Sequence, residues 1–174
     1  MSGVLRLIEL DRAVLLALAA GDLASAGRTA GIEFPEFFAG EAWLWQLHAD
    51  RMVQHPGSVG WLARAAVELS TGAVVGHAGF HFNPDAHGMA EIGYTVLPEH
   101  RGRGLAKEIA GELLAFAAAH GVVTVRASVS PGNQASLAVI RHWGFAQTGE
   151  QWDDKDGLEL VFERPARGGG SVGG

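Results

Sequence analysis

The chain alternates between two kinds of hydrophobic pattern. Segments with the alternating or β-branched pattern of strands are residues 4–10, 60–69, 73–82, 89–97, 122–129, 144–152 and 158–163. Segments whose apolar residues recur three and four positions apart, as in helices, begin near Asp11, Glu41, Gly104 and Asn133. We therefore predict alternating strands and helices, with residues 22–40 as a segment of mixed signals.

Short turns join the second, third and fourth predicted strands. Residues 70–72 are Ser-Thr-Gly, and residues 83–88 carry Asn, Pro, Asp and Gly, which are typical of turns between strands. We expect these three strands to run antiparallel in succession. A helix instead joins the fourth strand to the fifth, so this pair should be parallel with a right-handed crossover.

The register of the third and fourth strands decides which side chains share a face. The simplest hairpin places Phe80 opposite Glu91, on the same face of the sheet. His77 and His81 then point to the other face, and a slip of one residue would reverse this arrangement. The pattern alone assigns no role to either histidine.

The region before the second strand is rich in aromatic residues. In the helix that begins near Glu41, we expect Trp43, Leu47 and Met52 to point toward a core. The aromatic residues here have two interpretations, lining of a substrate pocket or packing in the core. They are Phe34, Phe37, Phe38, Trp43 and Trp45.

The composition limits what the chain can be. Its 174 residues, nearly half of them apolar, suit one domain, which we place at residues 1–164, with residues 165–174 as a flexible tail. The chain has no cysteine, and its eight histidines lack the spacing of metal ligands, so neither thiol chemistry nor a metal is expected.

Charge and hydropathy narrow the partners. A formal net charge of −6 argues against a nucleic-acid partner held through its phosphates. No apolar run has the length of a bilayer crossing, and the N-terminus lacks the pattern of a signal peptide. We therefore expect a cytoplasmic protein with no membrane partner.

Residues 101–106, Arg-Gly-Arg-Gly-Leu-Ala, stand between a predicted strand and a predicted helix. The first N–H groups of a helix have no partner within it and carry partial positive charge, and glycine lets an anion approach them. Arg101 and Arg103 add fixed charge. A P-loop would need Lys and then Ser or Thr where Leu105 and Ala106 stand, and the dinucleotide fingerprint has another spacing. The stretch therefore predicts a phosphate site of a different kind.

Basic residues gather around this stretch in an otherwise acidic chain. They have two interpretations, a basic patch for an anionic ligand or a solvated surface of mixed charge. The residues are Arg101, Arg103, Lys107, Arg141 and His142.

The spacing of Arg101, Gly104 and Ala106 resembles the coenzyme A pyrophosphate loop of the GNAT superfamily of N-acetyltransferases. Two further motifs are similar to this family in the same order: AEIGYTV before the loop, and NQASLAVIRHWGF after it. Together the three cover residues 76–162. The sequence Glu-Ile-Gly-Tyr at residues 91–94 and the nonaromatic Ile140 are most similar to the corresponding residues of the branch that acetylates the N-termini of ribosomal proteins.

The resemblance implies an α/β (α+β) fold with a mixed, mostly antiparallel central sheet flanked by helices. Its parallel fourth and fifth strands would splay apart, and the amides of pantetheine would satisfy the exposed strand edge. Acetyl-CoA is the implied co-substrate. The implied contacts are Val96, Leu97, Arg101, Gly102, Arg103, Gly104, Leu105, Ala106 and Asn133. Asn133 is also a plausible N-cap, and the two roles are compatible.

Glu91 is the candidate base, because it matches the position of a catalytic glutamate in many members of the family. A carboxylate in a partly dry cleft is expected to have a raised pKa, which suits direct or water-mediated proton transfer. The other interpretation of Glu91 is a charged residue on an exposed strand face. A backbone N–H near Val96 or Leu97 would receive the developing oxyanion.

The leaving thiolate needs a hydrogen-bond donor, for which the sequence offers two candidates. Many family members use a tyrosine where this chain has Ile140, so Ser136 on the same helix is the candidate, with water as the alternative. Tyr94 is the only tyrosine, and its parity is opposite to that of Glu91, so it is not an obvious substitute.

The function implied is an acetyl-CoA-dependent N-acetyltransferase that acts by direct attack of a primary amine, either a protein N-terminus or a small molecule. No covalent enzyme intermediate is expected, since there is no cysteine to carry one. The alternatives are a noncatalytic acyl-CoA-binding or partner-binding module of the same fold, and a structural module that forms a homodimer.

Overall fold

The computed structural model describes residues 3–168, which form seven strands and five helices. The strands are β1 (Leu5–Glu9), β2 (Arg64–Glu68), β3 (Val74–Phe80), β4 (Met89–Val96), β5 (Thr124–Val129), β6 (Ala146–Asp153) and β7 (Gly157–Pro165). The helices are α1 (Arg12–Ala19), α2 (Leu23–Ala30), α3 (Ala42–Gln54), α4 (Leu105–Ala119) and α5 (Gln134–His142). Short 3₁₀ turns occupy Glu36–Glu41, Pro56–Ser58 and Pro98–His100.

The strands form one sheet in the order β1-β2-β3-β4-β5-β7-β6. Each neighbouring pair is antiparallel except β4 and β5, which are parallel and joined through α4. The predicted fold class is therefore confirmed. The parallel pairing is short: it joins Met89–Glu91 to Thr124–Arg126 and goes no further, so the two strands separate beyond Glu91.

The register of β3 and β4 differs by one residue from the predicted one. Phe80 lies opposite Ile92, not Glu91, and His77 lies opposite Thr95. The cause is the turn, in which the carboxylate of Asp85 accepts hydrogen bonds from the backbone N–H groups of His87 and Met89. This shift places His77 and His81 on the same face of the sheet as Glu91, not on the opposite face as predicted.

The cap residues anticipated from the sequence begin their helices. Asp11 accepts a hydrogen bond from the N–H of Val14 at 3.0 Å, and Asn133 accepts one from the N–H of Ser136 at 3.1 Å. α2 was not predicted. Its signals were the N-cap Asp22 and the left-handed C-cap Gly31, which are hard to recognise in a helix of 8 residues with little apolar content.

The predicted face of α3 is wrong. Trp43 is 54% exposed and Leu47 is also exposed, and only Met52 of the predicted three is buried. Trp45 is fully buried instead, because its indole Nε1 donates to the Phe38 carbonyl at 2.7 Å and its ring stacks on that of Phe38. The aromatic segment before α3 therefore sets the rotation of this helix.

Two hydrophobic cores lie on the two faces of the sheet. α4 and α5 cover one face, with Ile109, Leu113 and Ile140 fully buried. α1, α3 and the 3₁₀ turn of Glu36–Glu41 cover the other face, with Leu15 and Trp45 fully buried. The first core includes residues of β4 and β5, whereas the second packs against β2 and β3.

The end of the fold lies slightly beyond the predicted boundary at residue 164. Pro165 pairs with Thr124 in the sheet, and Ala166 is buried and donates its N–H to the Val123 carbonyl. Of the predicted tail, residues 169–174 lie outside the described residues.

The contact between α4 and α5 depends on Gly111. A Cβ atom at Gly111 would lie 2.7 Å from the Trp143 ring, whose Nε1 donates to the Lys107 carbonyl at 2.9 Å. Gly111→Ala is expected to lower the free energy of unfolding by about 1 kcal/mol, because overpacking outweighs the helix propensity of alanine. Urea unfolding measures this, and the double variant with Trp143→Leu should lose the penalty; a stabilised single variant would contradict it.

Candidate active site

A first cleft, here called the loop cleft, lies between the end of β4, the loop before α4 and the start of α5. Its volume is about 490 Å³. Seven of the nine residues predicted to contact the coenzyme line it, namely Val96, Arg101, Gly102, Gly104, Leu105, Ala106 and Asn133. Leu97 and Arg103 do not.

The N-terminus of α4 opens into the loop cleft without a cap. Gly104 is the N-cap residue with φ of 76°, a left-handed conformation, and no side chain in the described part of the chain caps the first N–H groups of the helix. Gly102 has the same positive φ. The turn therefore presents unpaired backbone donors and the positive end of the helix dipole, which together suit a phosphate group.

The charges around the loop cleft are not all free for a ligand. Arg101 and Lys107 line the cleft, and the Arg101 Nε donates to the Val96 carbonyl at 3.0 Å. Arg103 turns away and forms an ion pair with the buried carboxylate of Glu68 at the end of β2. Of the predicted basic patch, Arg141 and His142 lie in the last turn of α5 and do not line the cleft.

The edge of β4 offers backbone donors to the loop cleft. Leu97 donates its N–H to the Val75 carbonyl, and the alternation of an antiparallel pair then turns the N–H groups of Tyr94 and Val96 toward β5. Pairing with β5 has already ended at Glu91. Of the two predicted oxyanion donors, the N–H of Val96 therefore faces the opening and the N–H of Leu97 does not.

A second opening, the strand gap, lies where β4 and β5 separate. Its volume is about 380 Å³, and Ser136, Asn133 and Ile140 of the α5 region line it. Ile140 is fully buried and apolar, so the position at which many family members have a tyrosine provides no hydrogen-bond donor here. Ser136 lines both the strand gap and the loop cleft.

Tyr94 lies at the site, although its side chain was expected to point to the opposite face of β4 from Glu91 and so was not predicted to take part. It lines the loop cleft and the strand gap together with Ser136. Its hydroxyl is buried and makes no hydrogen bond with any residue from 3 to 168. Burial raises the pKa of the Tyr94 phenol, and the nearby Ser136 hydroxyl, which lies outside hydrogen-bond geometry, opposes this rise more weakly. The phenol therefore stays protonated and has a donor to offer a ligand.

Two neighbouring side chains hold Glu91 in place. Glu91 lines neither the loop cleft nor the strand gap, and it does not line the third opening, described next. Ser128 Oγ donates to its Oε1 at 2.6 Å, and His81 Nδ1 lies 3.5 Å from its Oε2. Burial alone would raise the pKa of the carboxyl, but His81, Ser128 and Arg126 outweigh burial and lower it. The predicted rise is wrong, because the sequence did not show these neighbours, and Glu91 is ionised at neutral pH.

A third opening, the helix cleft, lies between α3, β3, β4 and the turn from β6 to β7. Its volume is about 360 Å³. Trp43 and Trp45 line it, whereas Phe34 and Phe38 are buried in the core. Lys155 Nζ lies 3.6 Å from the centroid of the Trp43 ring and closes one side.

The three histidines at the helix cleft differ in their surroundings. His77 Nε2 lies 2.5 Å from Glu41 Oε2. Burial, followed by the charges of Arg51 and the other two histidines, lowers the pKa of His48 to about 4. The side chain of His81 is 53% exposed and lies beside Glu91.

The described residues were also searched for a metal site and for a membrane-spanning helix. No group of three or more His, Asp or Glu side chains within residues 3–168 is arranged to hold a metal ion. Over the same residues, none of the helices combines the length and hydrophobicity that a bilayer crossing requires.

Comparison with known sequences gives a match over most of the chain. The family described as acetyltransferase (GNAT) domain matches residues 5–146. An uncharacterized N-acetyltransferase, YoaA, of Bacillus subtilis (strain 168) is 34% identical over 80 residues, which are 45% of this chain and 45% of that protein. The chain spans about half the length of the curated relatives it matches.

Comparison with solved structures gives the same fold. A ribosomal-protein-S5-alanine acetyltransferase from Vibrio fischeri superposes with a TM-score of 0.63 at 16% identity, over 95% of this chain and 94% of that one. The spermidine/spermine N-acetyltransferase SpeG from Vibrio cholerae gives 0.65 at 14% identity, over 93% and 94%.

Proposed function

Because the chain belongs to the GNAT acetyltransferase domain family, we propose that it transfers the acetyl group of acetyl-CoA to the nitrogen of a primary amine. One observation carries the proposal. Tyr94 lines the loop cleft, the strand gap and the helix cleft, so the three openings meet at one residue of β4. A donor bound in the first and an acceptor bound in the third would thus approach each other there.

Acetyl-CoA supplies the thioester, and the loop cleft is the proposed place for its diphosphate and pantetheine. The N–H groups at the start of α4 would receive the diphosphate beside Arg101 and Lys107. The N–H groups of Tyr94 and Val96 would bind the pantetheine amides in place of the missing strand. Asn133 faces the same cleft while its side-chain oxygen caps α5.

The remaining residues predicted to contact the coenzyme shape or support the loop cleft in this proposal. Gly102, Gly104, Leu105 and Ala106 shape the turn, and Leu97 anchors the end of β4 through Val75. Arg103 fixes the loop to β2 through Glu68.

The chemistry needs a base, a site for the oxyanion and a donor for the thiolate. Glu91 supplies the negative charge that draws the proton from the amine, through an intervening group since it does not line the helix cleft. The N–H of Val96 is the oxyanion donor. Ser136 faces the strand gap as donor to the thiolate, and Tyr94 stands next to it.

The test combines binding and turnover. Calorimetry with acetyl-CoA should show binding, and a thiol reagent should detect release of CoA when a short peptide with a free N-terminus or spermidine is added. The same peptide with a blocked N-terminus is the control. Binding without release for any amine would favour the noncatalytic acyl-CoA-binding module, and no heat at all would overturn the proposal.

The structure of the helix cleft bears on the choice between acceptors. Its charged residues are mixed in sign: Arg51 and Lys155 are basic, and Asp153 and Asp156 are acidic. A polyamine, with several positive charges, gains most from a cleft that is acidic throughout. A peptide N-terminus, with a single charge and neighbouring apolar surface, suits the exposed Trp43 and the mixed charges better.

Tyr94→Phe is expected to lower kcat about tenfold, with the KM for acetyl-CoA unchanged, because the substitution removes only a donor to the thiolate. The melting temperature should not fall, since the hydroxyl has no bond among residues 3–168 to lose. Ser136→Ala, measured in parallel, shows which of the two donors matters more. An unchanged kcat in Tyr94→Phe would show that the Tyr94 hydroxyl does not assist the leaving thiolate.

A further inference from the structure

We propose that His81 is the proton acceptor for the amine, and that Glu91 and Ser128 hold and polarise its ring. This inference rests on the proposed function, which leaves open the group that lies between Glu91 and the acceptor. The site is a chain of three side chains, Ser128, Glu91 and His81, that crosses the sheet from β5 to the end of β3.

The position of His81 is the first support. His81 lines both the helix cleft and the strand gap, as do Gly93, Tyr94 and Asp156. Glu91 lines neither of these openings. A nitrogen that enters from the helix cleft therefore meets the imidazole before it can meet the carboxylate.

The orientation of the ring is the second support. Nδ1 faces Glu91 Oε2 at 3.5 Å, which is long for a hydrogen bond and short enough for an ion pair once the ring is protonated. An anionic oxygen accepts but does not donate, so the tautomer with hydrogen on Nδ1 is favoured and Nε2 keeps its lone pair. Nε2 lies over Gly93, where an added Cβ would stand 3.2 Å from it.

The carboxylate is itself fixed. Ser128 Oγ donates to Glu91 Oε1 at 2.6 Å, and Gln151 Nε2 donates to Ser128 Oγ at 3.1 Å. His81, followed by Ser128 and Arg126, keeps the pKa of Glu91 low despite its burial. Glu91 therefore remains an anion, which stabilises a positive imidazolium but does not itself store the proton at neutral pH.

The other histidines of the helix cleft are poor competitors for this role. The pKa of His48 is lowered to about 4, mainly by burial, so its ring resists protonation. His77 is buried and bonded to Glu41. The His81 side chain is 53% exposed beside Glu91, so among the three rings it is the most accessible to an amine in the helix cleft.

The proton balance of the step is simple. The amine enters uncharged, its nitrogen forms a bond to the acetyl carbon and passes one proton to Nε2 of His81, while the bond from that carbon to sulfur breaks. The imidazolium is then paired with Glu91 and returns its proton to water, and the thiolate is protonated separately.

The test compares His81→Gln with the wild type in CoA release, using the free N-terminal peptide and spermidine as probes. The expected loss in kcat is about 100-fold or more, with acetyl-CoA affinity and melting temperature unchanged. His87→Gln, in the exposed loop between β3 and β4, is the matched control and should keep full turnover. Added imidazole should restore part of the rate to His81→Ala, which a merely structural role would not allow.

The pH profile supplies a second readout. The wild type and His81→Gln should differ in the pH dependence of kcat, because the variant lacks the proposed proton acceptor. The charged and titratable groups facing His81 are Glu91 from β4, His48 and Arg51 from α3, Glu159 from β7, and Asp156 with Lys155 from the turn before β7. Glu91→Gln should also change the pH dependence of kcat, because an imidazolium at His81 would lose its counter-charge.

The outcomes separate the two proposals. If the wild type turns over amines and His81→Gln retains its rate within about threefold, the role of His81 is overturned and the proposed function stands. If acetyl-CoA binds and no amine is acetylated by the wild type, both proposals fall. Gly93→Ala should displace the ring and slow turnover several-fold, and an unchanged rate in that variant would also count against Nε2 as the acceptor.

Discussion

Replacing Arg103 with alanine is expected to lower the free energy of unfolding by about 2 to 3 kcal/mol. The reason is the partner that the substitution leaves behind. Glu68 is 5% exposed at the end of β2, and Arg103 is its ion-pair partner across 35 positions of the chain. Thr71 Oγ1 also donates to Glu68, but it carries no charge to balance the carboxylate.

The matched comparison is Arg101→Ala. The Arg101 side chain is exposed and, among residues 3–168, donates only to the Val96 carbonyl, so its loss should change stability by no more than about 0.5 kcal/mol. Urea unfolding of both variants measures the contrast. The double variant Glu68→Ala with Arg103→Ala should recover part of the loss, since no buried charge then lacks a partner. Equal stability of Arg101→Ala and Arg103→Ala would contradict this account.

This contrast illustrates what the sequence could and could not reveal. Arg101 and Arg103 look equivalent in the letters, since both stand in a glycine-rich turn of basic character. Only the three-dimensional path of β2 brings Glu68 under the turn and separates their roles. A contact between residues so far apart leaves no periodic signal in a single sequence.

The features that were predictable are local. Alternation and 3.6-residue periodicity reveal strands and helices, and Asp11 and Asn133 mark their helix starts through short-range hydrogen bonds. The glycine turn before α4 and the parallel crossing of β4 and β5 follow from neighbouring segments. The fold and the loop cleft could therefore be predicted from the sequence.

The features that were missed depend on registers and rotations. One residue of slip between β3 and β4, set by the side chain of Asp85, decides that His81 joins Glu91. The rotation of α3 follows from the contact between Phe38 and Trp45. The lowered pKa of Glu91 depends first on His81 and then on Ser128, which lies 37 positions away. Each is a tertiary effect that local pattern does not contain.

Gly104→Val is expected to weaken the binding of acetyl-CoA by about 100-fold or more, which is about 2.7 kcal/mol. A Cβ atom at Gly104 would meet nothing within 4 Å, so the space into which it points is open. In the proposed function that space belongs to the diphosphate, which must approach the first N–H groups of α4 closely. A branched side chain would keep the anion away from those donors.

Backbone strain must be separated from this effect, because Gly104 has φ of 76° and a residue with a Cβ is strained there by about 1 to 2 kcal/mol. Gly121 provides the control. It follows the other end of α4, has φ of 77° and also has nothing within 4 Å of its added Cβ. Gly121→Val should therefore lower the melting temperature as Gly104→Val does, while calorimetry shows the wild-type affinity for acetyl-CoA. If the two variants bind acetyl-CoA equally well, the N-terminus of α4 is not the site of the diphosphate, because the only difference between them is the end of the helix at which the side chain stands.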